Sequence, residues 1–393
     1  MTGKNLICII ELEYHMVRVM ISCGRAPASV HLAKLFHVAG HDVYIIDANR
    51  FHFGRYRSWV KKTVKHPPPK QKPNEFKEWL IDFVNQEKID IIIPVYEETF
   101  HFAKNMNSLD CEVFTTDITK LDLLHNKYTF IEMCKELGLT FPKTKHITSV
   151  EQLENSGISD YIVKPVYSRF GHNVQFNPSK KSFRGKINDK NPWIIQEKIE
   201  GKQHCLQGIC FKGQVLSVSS YNSEFSISKS SVYFKNSQRG DLGEIISKIA
   251  SRLEYTGFIC FDVIETVDGE LYPIECNPRA TSALHLYSPE DGLPDCILNK
   301  STTNASGVPR RITVPMYMNL IRNMFKKSHY INWRKAMKNS KSTELDRFSP
   351  RISVLKYLVL LNFISVALRN RISIISATSY EYEWNSEEKR VNL

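Results

Sequence analysis

Runs of apolar residues divide the first part of the chain into alternating strands and helices. Strands are predicted at Val17–Cys23 and Val43–Ile46, and Ile89–Pro94 is an apolar run typical of a strand buried on both faces, as in a parallel sheet. Between them, apolar positions recur at helical spacing from Val30 to Val38 and from Phe76 to Asn85. This alternation predicts βαβ units, and therefore an α/β domain with a parallel sheet in residues 1–120.

The pattern changes after residue 120, where a helix is followed by many short strands. This helix is predicted from Lys127 to Leu137, closed by Gly138. Strands are predicted at Tyr161–Pro165, Trp193–Lys198, Cys205–Cys210 and Val215–Tyr221, with a hairpin turn at Lys212-Gly213. A helix at Leu242–Leu253 precedes a second hairpin, which joins Phe258–Thr266 to Leu271–Glu275. Such an order indicates an α+β region that differs from the first domain.

The remaining residues combine a polar loop, an apolar stretch and an alternating segment. Lys300–Gly307 is polar and is interpreted as a loop. Ile352–Leu368 is hydrophobic, but it is shorter than the roughly 20 apolar residues of a membrane span, so a buried or partly exposed amphipathic helix is predicted. Ala377–Trp384 alternates polar and aromatic residues, which predicts a strand.

Composition and charge limit the classes of ligand. The chain is 42% hydrophobic and 24% charged, as in ordinary globular proteins, which argues against general disorder. Its formal charge of +12 favours anionic ligands such as nucleotides or carboxylates, and also nucleic acid or an acidic membrane surface. The last 65 or so residues contain a basic run, for which we expect a solvated helical face, with a nucleic-acid patch as the alternative. The run comprises Lys326, Lys327, Arg334, Lys335, Lys338 and Lys341.

The cysteines indicate a reducing compartment. There are nine, and no pair has the C-x-x-C spacing, so neither a disulfide framework nor a zinc site is supported. Most lie inside apolar runs, which predicts buried thiols and a cytoplasmic protein. Glu11, Glu13 and His15 interrupt the first apolar run, so a secretory signal peptide is not expected.

The second hairpin contains the most informative acidic residues. A two-residue turn at Asp268-Gly269 would pair Val267 with Glu270, and this register places Asp262 opposite Glu275. Facing carboxylates destabilise a sheet unless a divalent cation lies between them. Asn277 would lie on the same face as Glu275 and add a neutral oxygen ligand, and Arg279 would follow two residues later. The alternative is that both acids face solvent and pair with lysines.

Two further segments suggest a nucleotide site. Lys164 ends an apolar strand, and the following loop contains Ser168 and Gly171, whose backbone N–H groups could bind phosphate. The strand Trp193–Lys198 leads into a glycine turn, and its backbone could hydrogen-bond an adenine edge. A Walker A motif is absent from the sequence.

Taken together and in this order, the three segments resemble the ATP-grasp superfamily, especially its carbamoyl-phosphate-synthetase-like and biotin-carboxylase-like members. The resemblance extends from about Leu124 to Leu286, and its most specific part is Gly257–Asp262 followed by Ile274–Arg279. It implies a pre-ATP-grasp α/β domain at 1–120, a two-lobed ATP-grasp domain at 121–300, and an extension at 301–393 that packs on the catalytic lobe.

The resemblance also implies a nucleotide site. Lys127 and Lys164 would bind phosphates, and the loop with Ser168 and Gly171 would close over them. The adenine would be bordered by Gln196, Glu197, Lys198 and Ile199. Many members have a ribose-binding acid after the glycine turn; Gln203 and His204 stand there, and Gln203 is the ribose candidate. The loop also has fewer glycines than in many members.

The implied chemistry is that of an ATP-dependent carboxylate–amine ligase. Asp262 and Glu275 would hold Mg²⁺ or Mn²⁺ with help from Asn277, and Arg279 would stabilise the acyl-phosphate step. A small carboxylate such as an amino acid would be phosphorylated by ATP, and an amine would then displace phosphate, giving ADP. The partners are thus ATP, a carboxylate and an amine, with no nucleic acid expected. The alternative is a non-catalytic nucleotide- or RNA-binding regulatory protein with this fold.

The first domain offers two more candidate substrate groups. Glu97 or Glu98 follows the strand that ends at Pro94, and the carboxyl ends of parallel strands are where open α/β sheets bind ligands. Either residue could contact an amine, although a solvated helix start is an equal alternative. Arg25 follows the first strand and could contact a carboxylate. The loop Cys23–Pro27 lacks the spaced glycines of a dinucleotide-binding motif.

Overall fold

The first domain is an open parallel sheet with helices on both faces. The computed structural model describes residues 16–386 except 154–156, 158–159, 170–173, 179–182, 184–185, 228–229, 238, 240, 324 and 344–349. The strands are β1 (Arg18–Ile21), β2 (Asp42–Asp47), β3 (Lys62–Lys65), β4 (Ile91–Ile93) and β5 (Glu112–Val113), and the helices are α1 (Pro27–Val38), α2 (Pro73–Glu87) and α3 (Glu98–Asn105). All five strands are parallel, in the order β3-β2-β1-β4-β5, as the apolar runs predict.

The alternation of side chains along the strands explains this layering. Ile21 packs with Phe36 of α1 on one face, whereas Met20 packs with Phe76 and Leu80 of α2 on the other. Because both faces are covered, every strand residue in the centre must be apolar. The polar residues are therefore confined to the strand ends, where the candidate residues lie.

The central region consists of two antiparallel sheets and three helices. Helices α4 (Ile118–His125) and α5 (Lys127–Glu136) come first, followed by β6 (Thr144–Ile147), β7 (Tyr161–Pro165), β8 (Gln175–Phe176) and β9 (Trp193–Glu197). The second sheet contains β10 (Lys202–Phe211), β11 (Gln214–Asn222), β15 (Gly257–Glu265) and β16 (Leu271–Asn277), and α6 (Leu242–Leu253) packs on it. The strand orders are β6-β9-β7-β8 and β11-β10-β15-β16.

The remaining elements are β12 (Ser226–Ile227), β13 (Ser230–Ser231), β14 (Tyr233–Phe234), α7 (Leu293–Leu298), β17 (Arg310–Arg311), α8 (Thr313–Arg322), α9 (Lys327–Asn339), β18 (Lys341–Ser342), α10 (Pro350–Asn370) and α11 (Ile374–Ala377). They are divided between a small layer formed by β12–β14, β17, β18, α8 and α9, and helices such as α7 that pack on the first domain. The predicted loop at Lys300–Gly307 is confirmed, and so is a partly exposed helix at Ile352–Leu368, which is part of α10. Its amphipathic character is not confirmed, because apolar side chains such as Tyr357 and Leu361 are exposed. In the described part of the chain, none of the helices combines the length and apolar character that crossing a bilayer requires.

The strand predicted at Ala377–Trp384 is wrong. Ala377 ends α11, and the chain continues in turns closed by the bonds from Tyr382 N and Glu383 N to Ser379 O. Here the alternation of aromatic residues reflects packing against other elements, because Tyr382 lies in the core beside β1 and Trp384 in the core beside α4 and α5.

The second hairpin has a different turn from the one predicted. Thr266 N donates to Glu270 O, so three residues form the loop, and Gly269 has a φ of +85°. The two-residue turn is therefore wrong, and the strands start one residue out of the predicted register. A bulge between Asp262 and Val263 then restores it, so that Asp262 does pair with Glu275.

Candidate active site

The centre of the site is the pair of carboxylates that face each other on β15 and β16. Asp262 pairs with Glu275, and the next row on the same face pairs Cys260 with Asn277. Burial raises the pKa of Asp262, and the negative charge of Glu275 raises it further, although Lys164 and Arg279 act in the opposite direction. The electrostatic cost expected of facing acids is therefore present in the folded chain.

Two buried lysines from separate elements converge on this pair. Lys127, the first residue of α5, donates from Nζ to Ser168 O at 3.1 Å and lies 3.5 Å from Glu275 Oε1. Lys164 on β7 donates from Nζ to Ile274 O at 3.2 Å. Burial lowers the pKa of Lys164 to about 8, while Glu275 acts to raise it. Two lysines, one from helix α5 and one from strand β7, therefore lie beside the β15–β16 hairpin.

The bulge on β16 provides the contact with Lys164. Val263 pairs with Pro273 and Asp262 with Glu275, so Ile274 is the extra residue. Because Pro273 has no N–H, the ladder is already interrupted beside the bulge. The carbonyl of Ile274 accepts the bond from Lys164, and the bulge thereby links the two sheets.

Arg279 extends the site towards the first domain. Its Nη2 donates to Asn277 Oδ1 at 3.0 Å, and its guanidinium lies 5.4 Å from the centre of the Tyr96 ring. Glu97 Oε1 is 3.7 Å from the same guanidinium. Because Pro278 follows β16 directly, Arg279 leaves the strand and turns towards β4.

The residues present fit a divalent metal ion. Asp262 and Glu275 are hard oxygen donors whose mutual repulsion a cation would remove, and the carbonyl oxygen of Asn277 is a neutral donor beside them. Among the described residues no group of three or more His, Cys, Asp or Glu side chains forms a cage for a metal. A site with two carboxylates and one amide suits Mg²⁺, which keeps several water and phosphate ligands.

The segment expected beside adenine lies at the end of β9. Gln196 Nε2 donates to Thr144 Oγ1 at 3.1 Å, and Glu197 Oε2 accepts from Lys143 N at 3.1 Å. Lys198 pairs with Glu200 at 2.6 Å and with Asp160 at 3.6 Å, and the bond to Glu200 raises its pKa. Ile199 follows in the loop before β10.

The remaining predicted nucleotide residues are divided between the loop after β7 and the start of β10. Ser168 is described and its carbonyl accepts from Lys127, whereas Gly171 lies outside the described residues. Gln203 is on β10, and its side chain acts to lower the pKa of the Asp262 carboxyl, in opposition to burial. The structure thus places Gln203 next to the acidic pair.

Residues 124–283 match the family model of the ATP-grasp domain. This part of the chain is therefore similar to an ATP-grasp domain. The carbamoyl phosphate synthase large chain of Clostridium beijerinckii is 24% identical over 287 residues, which are 68% of this chain and 26% of that protein. The chain therefore spans about a quarter of the length of this relative.

Solved structures share the fold at low sequence identity. An L-amino acid ligase from Bacillus licheniformis superimposes with a TM-score of 0.57 at 14% identity, over 72% of this chain and 74% of that one. N5-carboxyaminoimidazole synthetase from Staphylococcus aureus, complexed with ADP, gives 0.57 at 14% identity over 72% and 77%. The predicted fold class, a parallel-sheet domain followed by an ATP-grasp fold, is confirmed.

Two candidate residues of the first domain are occupied by other protein groups. Arg25 is buried and paired with Asp47 at 2.5 Å and with Glu381 at 2.7 Å. Glu97 is 2% exposed and accepts from Arg169 and from Trp384 N. The structure therefore gives both residues internal partners in place of a substrate. Glu98 begins α3 but is buried, so the solvated helix start is wrong.

The chain's own C-terminal segment fills the edge where open sheets bind ligands. Trp384 stacks on Phe100 with ring centres 5.7 Å apart, and its Nε1 donates to Asp122 at 2.6 Å. Its carbonyl accepts from Arg169 of the phosphate loop. The segment therefore connects the first domain with the loop that follows β7 of the ATP-grasp domain.

Sequence reasoning missed two residues of the site. Arg169 joins the phosphate loop to Glu97, and its only sequence signal is a cation inside the loop. Gln207 is fully buried on β10, and its Oε1 accepts from Thr281 N at 3.1 Å and from Cys260 Sγ. A glutamine within the apolar run Cys205–Cys210 was the available signal for it.

Proposed function

We propose that this chain is an ADP-forming ligase that activates a small carboxylate with ATP and joins it to an amine. The observation on which the proposal rests is the convergence of Lys127 and Lys164 on the Asp262–Glu275 pair. Binding of a metal-bound triphosphate needs positive side chains for the phosphates and negative side chains for the metal, and this site contains both. We assign the activity to an ATP-grasp domain at 121–300, between a pre-ATP-grasp domain at 1–120 and an extension at 301–393.

Each residue has a defined task in this proposal. Lys127 and Lys164 neutralise phosphate charge, and the loop from Ser168 through Gly171 covers the nucleotide. Gln196, Glu197, Lys198 and Ile199 border adenine, and Gln203 contacts the ribose. When bound by Asp262, Glu275 and Asn277, Mg²⁺ or Mn²⁺ neutralises the charge that develops on the transferred phosphoryl group.

A small carboxylate fits the polar atoms that lie beside Arg279. In the described structure, Arg279 Nε and Gln207 Nε2 are buried donors without a hydrogen-bond partner. Cys260 Sγ contacts both residues, through Arg279 O at 3.1 Å and Gln207 Oε1 at 3.4 Å. Buried donors of this kind favour an acceptor such as a carboxylate oxygen. Arg279 would also stabilise the acyl phosphate formed there.

Replacing Lys164 by methionine tests the phosphate site. Lys164→Met keeps the buried stem and removes the charge, so the affinity for Mg²⁺–ATP is expected to fall by about tenfold or more, with turnover falling in parallel. Calorimetric titration measures the affinity. Lys145→Ala, an exposed lysine on β6, is the matched control and is expected to bind as the wild type does. Unchanged affinity in Lys164→Met would remove this residue from the site.

The nucleotide product distinguishes the proposed reaction from its alternatives. With a panel of amino acids and other carboxylates plus an amine, ADP and phosphate are expected in step with ligation, because the γ-phosphoryl group is the one transferred. Chromatography of the nucleotides measures this. AMP and pyrophosphate would contradict the acyl-phosphate route, and ATP binding without turnover on any substrate would favour the non-catalytic nucleotide-binding protein.

A further inference from the structure

Helix α8 presents a continuous apolar stripe to solvent. Val314, Tyr317, Met318 and Ile321 are spaced three, one and three residues apart, which places them on one face of the helix. All four are about half exposed or more, and Ile321 is 67% exposed. Soluble proteins seldom leave such a contiguous row uncovered.

The opposite face of α8 is fixed to the protein, so the stripe cannot turn inward. Met316 is buried, and its carbonyl accepts from Trp333 Nε1 of α9 at 2.9 Å. Asn319 donates from Nδ2 to Ser226 O at 2.8 Å. These contacts hold α8 on the layer formed by β12 to β14 and direct the stripe outward.

The turn between α8 and α9 continues the apolar surface. Phe325 lies in this turn and is 95% exposed, so it offers nearly all of the roughly 150–250 Å² that a large aromatic side chain can bury. Tyr330 and Ile331 at the start of α9 are also exposed. Tyr317 and Tyr330 both contact Trp333, which joins the two helices into one surface.

The charged residues of the segment that forms this surface have a single sign. From Val308 to Thr343 the sequence contains nine Lys and Arg residues and no Asp or Glu. Arg322, Lys326 and Lys327 flank Phe325 directly and are exposed. On α9, Arg334, Lys335 and Lys338 are exposed as well, which confirms the solvated basic face expected from the sequence.

We propose that the α8–α9 hairpin docks on an anionic phospholipid surface, with Phe325 and the α8 stripe entering the boundary between headgroups and acyl chains. Apolar side chains ringed by lysine and arginine are the pattern of helices that lie in this interface. RNA would use the charge but not the aliphatic side chains Val314 and Ile321, which have no ring to stack on a base. A second copy would bring the seven exposed Lys and Arg residues of this segment against seven others.

The test is co-sedimentation of the full chain with vesicles of phosphatidylcholine alone or mixed with phosphatidylglycerol. We expect binding to the mixed vesicles only, weakening as salt is added. Phe325→Ser is expected to lower partitioning by about tenfold or more, because burial of the ring is lost. Lys326→Gln with Lys327→Gln is expected to lower it by a similar factor. Phe176→Ser, which removes an exposed phenylalanine on β8, is the control and is expected to have no effect.

Three results would overturn the proposal. One is absence of binding, or equal binding to both kinds of vesicle. Another is identical partitioning of Phe325→Ser and Phe176→Ser. The third is a result in which vesicle binding is absent, but the chain shifts RNA in a gel or forms a dimer in sedimentation velocity. In that case Phe325→Ser would abolish the RNA binding or the dimer. Because Phe325 is nearly fully exposed, unchanged melting of Phe325→Ser is expected and separates loss of docking from loss of folding.

Discussion

Glu275→Gln is expected to lower turnover by about 10³-fold or more. The substitution keeps the volume of the side chain but removes one of the two charged ligands that face each other across β15 and β16. Metal stabilisation of a transferred phosphoryl group amounts to several kcal/mol, and each 1.36 kcal/mol or so changes a rate tenfold. A turnover assay with Mg²⁺–ATP measures the loss.

The same variant distinguishes loss of metal binding from destabilisation of the fold. Without metal, loss of the repulsion with Asp262 is opposed by loss of the counter-charge for Lys127, so the free energy of unfolding is expected to change by at most about 1 kcal/mol. With Mg²⁺–ATP, the wild type should melt at a higher temperature, and the variant should gain much less.

The control is Glu270→Gln, which makes the same chemical change at an exposed position of the same hairpin. It is expected to retain both turnover and the stabilisation by Mg²⁺–ATP. If Glu275→Gln also retained turnover and stabilisation by Mg²⁺–ATP, Glu275 would not be a metal ligand, and the proposed function would lose its main support.

Glu97→Gln is expected to destabilise the protein by about 3–5 kcal/mol at neutral pH. Glu97 is buried between Arg169 and Arg279, and its loss would remove the counter-charge of Arg279. It would also remove the nearer of two carboxylates that pair with Arg169, the other being Glu383 at 4.0 Å. The loop after β7 would lose the ion pair between Arg169 and Glu97 that joins it to the first domain, so the KM for ATP is expected to rise as well. Denaturant unfolding and steady-state kinetics measure the two effects.

The pH dependence of this loss has a defined sign. Burial alone would raise the pKa of Glu97, but Arg169, His125 and Arg279 outweigh burial and lower it to about 2 from 4.5. A carboxyl with a lowered pKa stabilises the folded state above about pH 4.5, and that contribution is lost as the pH falls towards 2. The difference between wild type and Glu97→Gln should therefore shrink over that range.

A matched control for Glu97 is Glu75→Gln, which removes an exposed partner of Lys72. Exposed ion pairs contribute about 0–1 kcal/mol, so this variant should unfold nearly as the wild type does at every pH. A difference between Glu97→Gln and wild type that did not change with pH would contradict the role of the ionised carboxylate.

The pairing of Asp262 with Glu275 was predicted correctly through two offsetting irregularities. The sequence pattern suggested a two-residue turn, whereas Gly269 closes a three-residue loop that shifts the register by one. The bulge at Ile274 shifts it back. Pro273 was a visible sign of an interrupted ladder, but the position of a bulge depends on the contact of Ile274 O with Lys164, which is 110 residues away in the chain.

The sequence by itself determined the local elements and the chemical types at the site. Apolar runs such as Ile89–Pro94 predicted buried parallel strands, and Gly138 marked the end of α5, because these signals depend only on neighbouring residues. The order of lysine, acid, acid, asparagine and arginine was likewise a property of the chain.

Only the tertiary structure decided which charges meet. It gave Arg25 and Glu97 partners in the C-terminal segment, Glu381 and Trp384, which lie 356 and 287 residues away. It also brought Lys127 to Glu275 and, among the described residues, left Gln207 Nε2 without a hydrogen-bond partner. Contacts of this kind arise when separate elements pack around a common core, and hydrophobic periodicity specifies which face of an element is buried but not which distant side chain it will meet.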